Sequence, residues 1–122
     1  MEKIVLSLVF SIISLFAFEE LNSDNFESKI KGKNVIVDFH AVWCPPCKVL
    51  GKNLIEFDKV KPEGVTVYKV NIDEQMPLTK KHGVTKLPTL VYFQDGKLVK
   101  TKVGVQSVDE LKESSIEVFN LK

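Results

Sequence analysis

Between Asn34 and His40 the chain reads Asn-Val-Ile-Val-Asp-Phe-His, and no other segment constrains the fold as much. Val35, Ile36, Val37 and Phe39 make a near-continuous apolar run, so a strand there carries apolar side chains on both faces. A strand with one wet face would alternate instead. The run therefore belongs inside a sheet that is covered above and below. It also contains one acid, Asp38, which enters the interior with the strand and needs an explanation, because burying a carboxylate costs free energy.

The neighbouring segments supply the covering layers. Asn22 to Ile30 reads as a short helix with Ser23 or Asp24 as its cap, Glu27 three residues after Asp24, and Gly32 beyond its end. After Cys44, the apolar residues Leu50, Leu54 and Phe57 follow the i, i+4, i+7 spacing of a helix, which Pro62, Glu63 and Gly64 terminate. Val65 to Ile72 is a second strand, with Val65 and Val67 on one face and Tyr68 and Val70 on the other. Pro77 to His82 reads as a helix closed by Gly83. Thr89 to Gln94 and Lys97 to Val103 are strands joined at the hairpin dipeptide Asp95-Gly96. Ser107 and Glu110 form a capping box for a last helix through Val108, Leu111, Ser115 and Phe119. The order α β α β α β β α predicts an α/β chain whose central mixed sheet has helices on both faces.

The N-terminus is a different polymer. After Glu2 and Lys3 the chain is uncharged from Ile4 to Phe18, longer than a typical secretory apolar core and shorter than a comfortable bilayer span. Residues 1–17 are expected to be a signal peptide, with cleavage after Ala17. Leu15 is large for such a site, which leaves an uncleaved anchor formed by residues 4–18 as the alternative. Residues 18–122 are then a single domain. Export places the thiols where they can be oxidised and stay so. The expected location is the periplasm, or the outer face of the inner membrane if the anchor is retained.

Charge excludes one class of partner. All 17 basic residues are Lys, opposed by 16 acids, so neither a strong cationic field nor the forked arginine donor is available to grip nucleic acid. Lys97, Lys100 and Lys102, and the Lys80-Lys81 pair, read as solvated faces.

The chemistry lies in Trp43-Cys44-Pro45-Pro46-Cys47, which contains the chain's two cysteines. At a strand-to-helix junction this spacing permits a small disulfide ring. Cys44 would sit at the helix N-terminus, where free N–H groups and the helix dipole favour a thiolate, whereas Cys47, one turn inside, lacks that help. This divides the work between Cys44 as nucleophile and Cys47 as resolving thiol. Pro45 and Pro46 suit a first helical turn, stiffen the ring and are expected to influence its redox poise. Two other readings stand beside a redox dithiol. A structural bridge would close too short a loop to restrict much chain entropy. A zinc site would need two further ligands, for which the sequence offers His40 and His82 without a second cysteine pair.

From about Phe18 to Lys122 the sequence resembles a thioredoxin. The resemblance rests on Val37-Asp38-Phe39 with Ala41, Trp43-Cys44-Pro45-Pro46-Cys47-Lys48, Lys69-Val70-Asn71-Ile72-Asp73, Val84 with Leu87-Pro88-Thr89, Asp95-Gly96 and Val103-Gly104, in family order. It implies the thioredoxin fold, no cofactor beyond the dithiol, no metal, and a monomer acting on protein disulfides. A membrane or soluble thiol would return the electrons. It further implies a cis Leu87-Pro88 bond beside the sulfurs, Asp38 as proton acceptor for Cys47 with Lys69 as its nearby cation, and a substrate rim of Trp43, Leu87, Val103 and Gly104. A structural Asp38–Lys69 pair and a half-buried packing role for Trp43 are the plainer alternatives. The sequence departs from the family in three places. Pro-Pro stands between the cysteines in place of Gly-Pro, and Gly51-Lys52 where the helix usually has a proline. His40 occupies a usually aromatic position, as a tuning group or as a filler. The resemblance favours a reductase over an oxidase or isomerase, and over a non-catalytic binding subunit.

Overall fold

The computed structural model describes residues 18–122. The signal-peptide or anchor reading of residues 1–17 lies outside the described residues. The elements are α1 (Phe26–Ile30), β1 (Asn34–His40), α2 (Pro45–Val60), β2 (Val65–Asn71), α3 (Met76–Lys81), β3 (Thr89–Gln94), β4 (Lys97–Val103) and α4 (Val108–Val118).

The strands form one mixed sheet in the order β2-β1-β3-β4. β1 runs parallel to β2 and antiparallel to β3, and β4 pairs antiparallel with β3. β1 thus has a strand on each side, and the physical reason is its composition. Val35, Val37 and Phe39 pack with Phe26 and Ile30 of α1 and Leu78 of α3 on one face. Ile36 packs with Leu50, Leu54 and Phe57 of α2 and Leu111 of α4 on the other. β3 divides in the same way, Val91 and Phe93 facing the first cluster and Leu90 and Tyr92 the second. Both faces are covered, as the apolar run in β1 requires.

β4 is an edge strand, exposed along nearly its whole length, and its Lys97 and Lys100 are solvated there. Such lysines discourage an exposed edge from pairing with another chain. The β3–β4 turn has positive φ at both Asp95 (51°) and Gly96 (82°), the geometry that matches strand twist in a two-residue hairpin. The opposite edge carries a feature that the sequence pattern did not reveal. Beside β2, the Lys69 N–H donates to the Glu19 carbonyl (3.0 Å) and the Leu21 N–H to the Lys69 carbonyl (2.8 Å), which makes a parallel bridge between Glu20 and Lys69.

Three boundaries differ from expectation. Helix α1 begins at Phe26, because Asn22 to Asn25 form a turn in which the Asn22 Oδ1 accepts the N–H groups of Asp24 (2.9 Å) and Asn25 (3.0 Å). Asparagine side chains offer the backbone this alternative to a helix. β2 stops at Asn71, whose Oδ1 accepts the Asp73 N–H at 2.9 Å and turns the chain. α3 starts at Met76, with Pro77 in its first turn. Helix α4 has the expected capping box, with Ser107 Oγ accepting the Glu110 N–H (3.1 Å) and Glu110 Oε1 accepting the Ser107 N–H (3.0 Å).

Candidate active site

The end of β1 delivers the chain to the head of α2 through a tight turn closed by the Cys44 N–H on the Ala41 carbonyl. Cys44 is the N-cap of α2, with Pro45 and Pro46 filling the first turn, where no N–H is needed inside the helix. Cys44 and Cys47 are joined by a disulfide. The Cys47 N–H donates to the Cys44 Sγ at 3.2 Å. The sulfur placed to receive a helix N–H, and to be stabilised as an anion by it, is therefore that of Cys44. Both cysteines are only 5% exposed and pack with Ala41, Ile72 and Leu87.

A second loop stands against this pair. The Leu87-Pro88 bond is cis, and Leu87 packs against the two cysteines. The loop is held by the Thr89 hydroxyl donating to the Lys86 carbonyl (2.5 Å) and by the Gly104 N–H donating to the Pro88 carbonyl (2.9 Å). Gly104 adopts φ +100°, a conformation that side-chain-bearing residues rarely take. Gln106 braces the same corner, donating from Nε2 to the Gly104 carbonyl (2.7 Å) while its own carbonyl accepts from Asn53 of α2 (2.9 Å).

Several large apolar side chains are exposed at the surface. Trp43 is 63% exposed and Val103 56%, joined by Val42, Met76 and Val105. Trp43 is therefore no packing residue. Its ring is steadied at the surface by the indole Nε1–H donating to Asp73 Oδ2 at 2.8 Å. Gln106, Val42, Met76 and Val105 were not singled out from sequence, and Asp73 entered only as the last residue of a family motif. No local pattern ties Trp43 to an acid thirty residues later.

On β1, Asp38 is fully buried and neither carboxylate oxygen accepts a hydrogen bond from a described residue. Burial pushes its carboxyl up to about 6, against the pull of His40 and Lys69, with Glu20 adding to the rise. Lys69 stands opposite Asp38 in the β1–β2 register but makes no ion pair with it among the described residues. The paired structural carboxylate is thus not what this site contains. His40, two residues on, is buried, with its Nε2 3.1 Å from Glu20 Oε1. A crevice of about 600 Å³ is bordered by Glu20, His40, Cys47, Gly51, Ile55 and Lys69.

A larger cleft of about 790 Å³ lies at the other end of the sheet, beside Lys33, Asn34, Asp58, Val65 and Asp95. It is bordered by neither cysteine and neither histidine, so the smaller crevice is the one connected with the chemistry. His82 belongs to the opposite face from His40. Its ring lies against Phe26 and Phe93, with Nδ1 3.0 Å from the Leu78 carbonyl, and burial lowers its pKa. His82 is therefore not brought together with the cysteines, whereas His40 borders the crevice that also reaches Cys47. Among the described residues no group of three or more His, Cys, Asp or Glu side chains is arranged to hold a metal ion.

The thioredoxin family model matches residues 17–117. The chain belongs to the thioredoxin family. It is 38% identical over 100 residues to the thioredoxin of Alicyclobacillus acidocaldarius, covering 81% of this chain and 95% of that protein. It is 32% identical over 97 residues to the thioredoxin of Bacillus subtilis, covering 80% and 93%. Among solved structures, a single-substitution variant of thioredoxin from Halobacterium salinarum superposes with a TM-score of 0.74 at 30% identity, covering 85% of this chain and 94% of that one. Chloroplastic thioredoxin z superposes with a TM-score of 0.75 at 24% identity over 84% and 95%, which speaks to the fold. With its Cys44–Cys47 pair the chain is a thiol–disulfide oxidoreductase of this family, and thioredoxins need no cofactor for dithiol-based disulfide reduction.

Proposed function

We propose that this thioredoxin acts outside the cytosol as a monomer and reduces disulfides in protein substrates through a mixed-disulfide intermediate. The observation that carries this reading is the Cys44 sulfur at the head of α2, receiving a helix N–H and facing the cis-proline loop. In the reduced enzyme the Cys44 thiolate attacks one sulfur of the substrate disulfide. A Cys44–substrate bond forms, the substrate S–S bond breaks, and the departing thiolate takes up a proton. Cys47 then loses its proton to Asp38 and attacks the Cys44 sulfur, which closes the intramolecular disulfide and releases the second substrate thiol. Two electrons pass from the dithiol to the substrate, and a membrane-bound or soluble thiol donor restores them.

Asp38, buried and raised to about 6, is basic enough to accept a thiol proton and acidic enough to be mostly ionised at neutral pH. Lys69, opposite it in register, limits that rise. The Leu87 backbone beside cis-Pro88 offers pairing groups to an extended substrate segment, and Trp43, Val103 and Gly104 form the apolar rim that receives it. Pro45 and Pro46 hold the ring in one shape and set its poise.

The deciding experiment is to measure the Cys44/Cys47 reduction potential and to trap partners with Cys47→Ser. A potential near the thioredoxin value of about −270 mV, with protein partners captured on Cys44, is the expected outcome. A value near about −120 mV would make the enzyme an oxidase. A Cys47→Ser variant that captures no partner would make it a binding subunit.

A further inference from the structure

A row of charges crosses the sheet beside Cys47, and its outermost member, Glu20, has no part in the exchange steps. Glu20 is bridged in parallel to Lys69, and Lys69 stands opposite Asp38. Partners across a ladder share a face, so Glu20, Lys69 and Asp38 lie side by side as negative, positive and negative. His40 follows Asp38 by two residues and lies on the same face, the face that α2 covers through Ile36 and Leu50. That helix carries Cys47, Gly51 and Ile55, which border one crevice together with His40, Lys69 and Glu20.

Asp38 is sealed in this arrangement, with no exposure and neither oxygen hydrogen-bonded to a described residue. A proton that it takes from Cys47 must leave before the next cycle, and it has no solvent contact through which to go. His40 and Glu20 provide one. The His40 side chain is 10% exposed and that of Glu20 47%, with Nε2 and Oε1 3.1 Å apart. An ionised carboxylate only accepts hydrogen bonds, so Nε2 carries a proton and a neutral ring presents Nδ1 as its basic nitrogen.

We propose that His40, oriented by Glu20, is the proton relay between the buried Cys47–Asp38 pair and solvent. When the Cys47 S–H bond breaks, the proton passes by way of Asp38 or crevice water to His40 Nδ1. The Nε2 proton leaves through Glu20 to water, and a half-turn of the ring returns the deprotonated nitrogen to the interior and the protonated one to Glu20. No electrons move in this step. His40 acts through Asp38, and Glu20 is its positioning residue. The charged groups around the ring are Glu20 from the N-terminal segment, Asp38 from β1, Lys69 from β2, and Lys48 and Lys52 from α2. The proposal rests on the reading of Cys47 as the resolving thiol.

The test separates resolution from capture. Reaction of the reduced full-length protein with an aromatic disulfide reports resolution by Cys47 as release of the second chromophoric thiol, followed by stopped flow from pH 5 to 9. Capture by Cys44 is measured alone in a Cys47→Ser background. His40→Gln keeps a side chain able to hydrogen-bond Glu20 but carries no titrating ring. It is expected to slow resolution at pH 7 by roughly 100-fold, to remove one inflection from the pH profile, and to leave capture within about twofold of wild type. Glu20→Gln, at a half-exposed site, is expected to slow resolution several-fold and leave capture unchanged, because an amide does not take the Nε2 proton on to water. A His40→Gln profile with wild-type inflections, whether or not its rates are lower, would overturn the relay and leave His40 a filler. A resolution rate in Glu20→Gln equal to wild type would overturn it equally. Failure of the oxidoreductase reading itself looks different, since the wild-type protein would then capture no disulfide at any pH.

Discussion

Asp38 shows how one buried atom pair links stability to chemistry. In an unfolded chain its carboxyl titrates near ~3.9, whereas in the fold burial holds it at about 6. The folded state binds the proton more tightly, so the contribution of Asp38 to stability is most favourable below the unfolded value. It is lost as pH rises through the folded value. Over that window the loss is of the order of ~3 kcal/mol. Asp38→Asn removes the ionisation. It is expected to be more stable than wild type at pH 7.5 by up to ~3 kcal/mol, little different at pH 4, and slower in resolving a mixed disulfide. Urea denaturation at the two pH values checks this, and an equal change at both would show that Asp38 acts as a structural group. At this scale the Cys44–Cys47 pair was legible because a two-residue spacing permits the disulfide that the fold contains, and the burial of Asp38 was legible from the apolar run around it. The Glu20–His40 and Trp43–Asp73 contacts were not, because each joins side chains that only the folded sheet and its loops bring together.

At the scale of elements, legibility followed the strength of the local pattern. The bounds of β1, β3 and β4 matched their apolar runs and the Asp95-Gly96 turn. The capping box of α4 formed as Ser107 and Glu110 predicted. Segment 22–25 was misjudged because Asn22 and Asn25 bond to each other's backbone and delay the helix by one turn. Ser107→Ala leaves the Glu110 N–H without its acceptor and is expected to cost about 1 kcal/mol. That appears as a lower denaturation midpoint with an unchanged slope. The helix packs through Leu111 on the α2 side of the sheet, so this loss registers in global unfolding rather than in local fraying.

For the whole molecule the open matter is where the domain works. The family match begins at residue 17, at the end of the uncharged run from Ile4 to Phe18, and the export proposal rests on that run alone. Among the described residues no helix is long and apolar enough to cross a membrane. When the full chain is expressed in a two-membrane bacterial host, recovery from the periplasm with a mass corresponding to cleavage near Ala17 is the expected result. Full-length protein in the inner-membrane fraction would select the anchored form, and full-length protein in the cytosol would overturn export.

The sequence by itself determined the layered α/β architecture and the identity of the dithiol. Both depend on short-range patterns: an apolar run that needs two covers, and two cysteines one helical turn apart. The tertiary structure decided which residues attend the sulfurs. It laid Glu20 beside Lys69 at the sheet edge, set Lys69 across from Asp38 without an ion pair, and turned His40 toward the helix of Cys47. Those neighbours come from strand register and sheet order, which bring residues from separate segments onto one face. The electrostatics of the site therefore became definite only when the chain had folded.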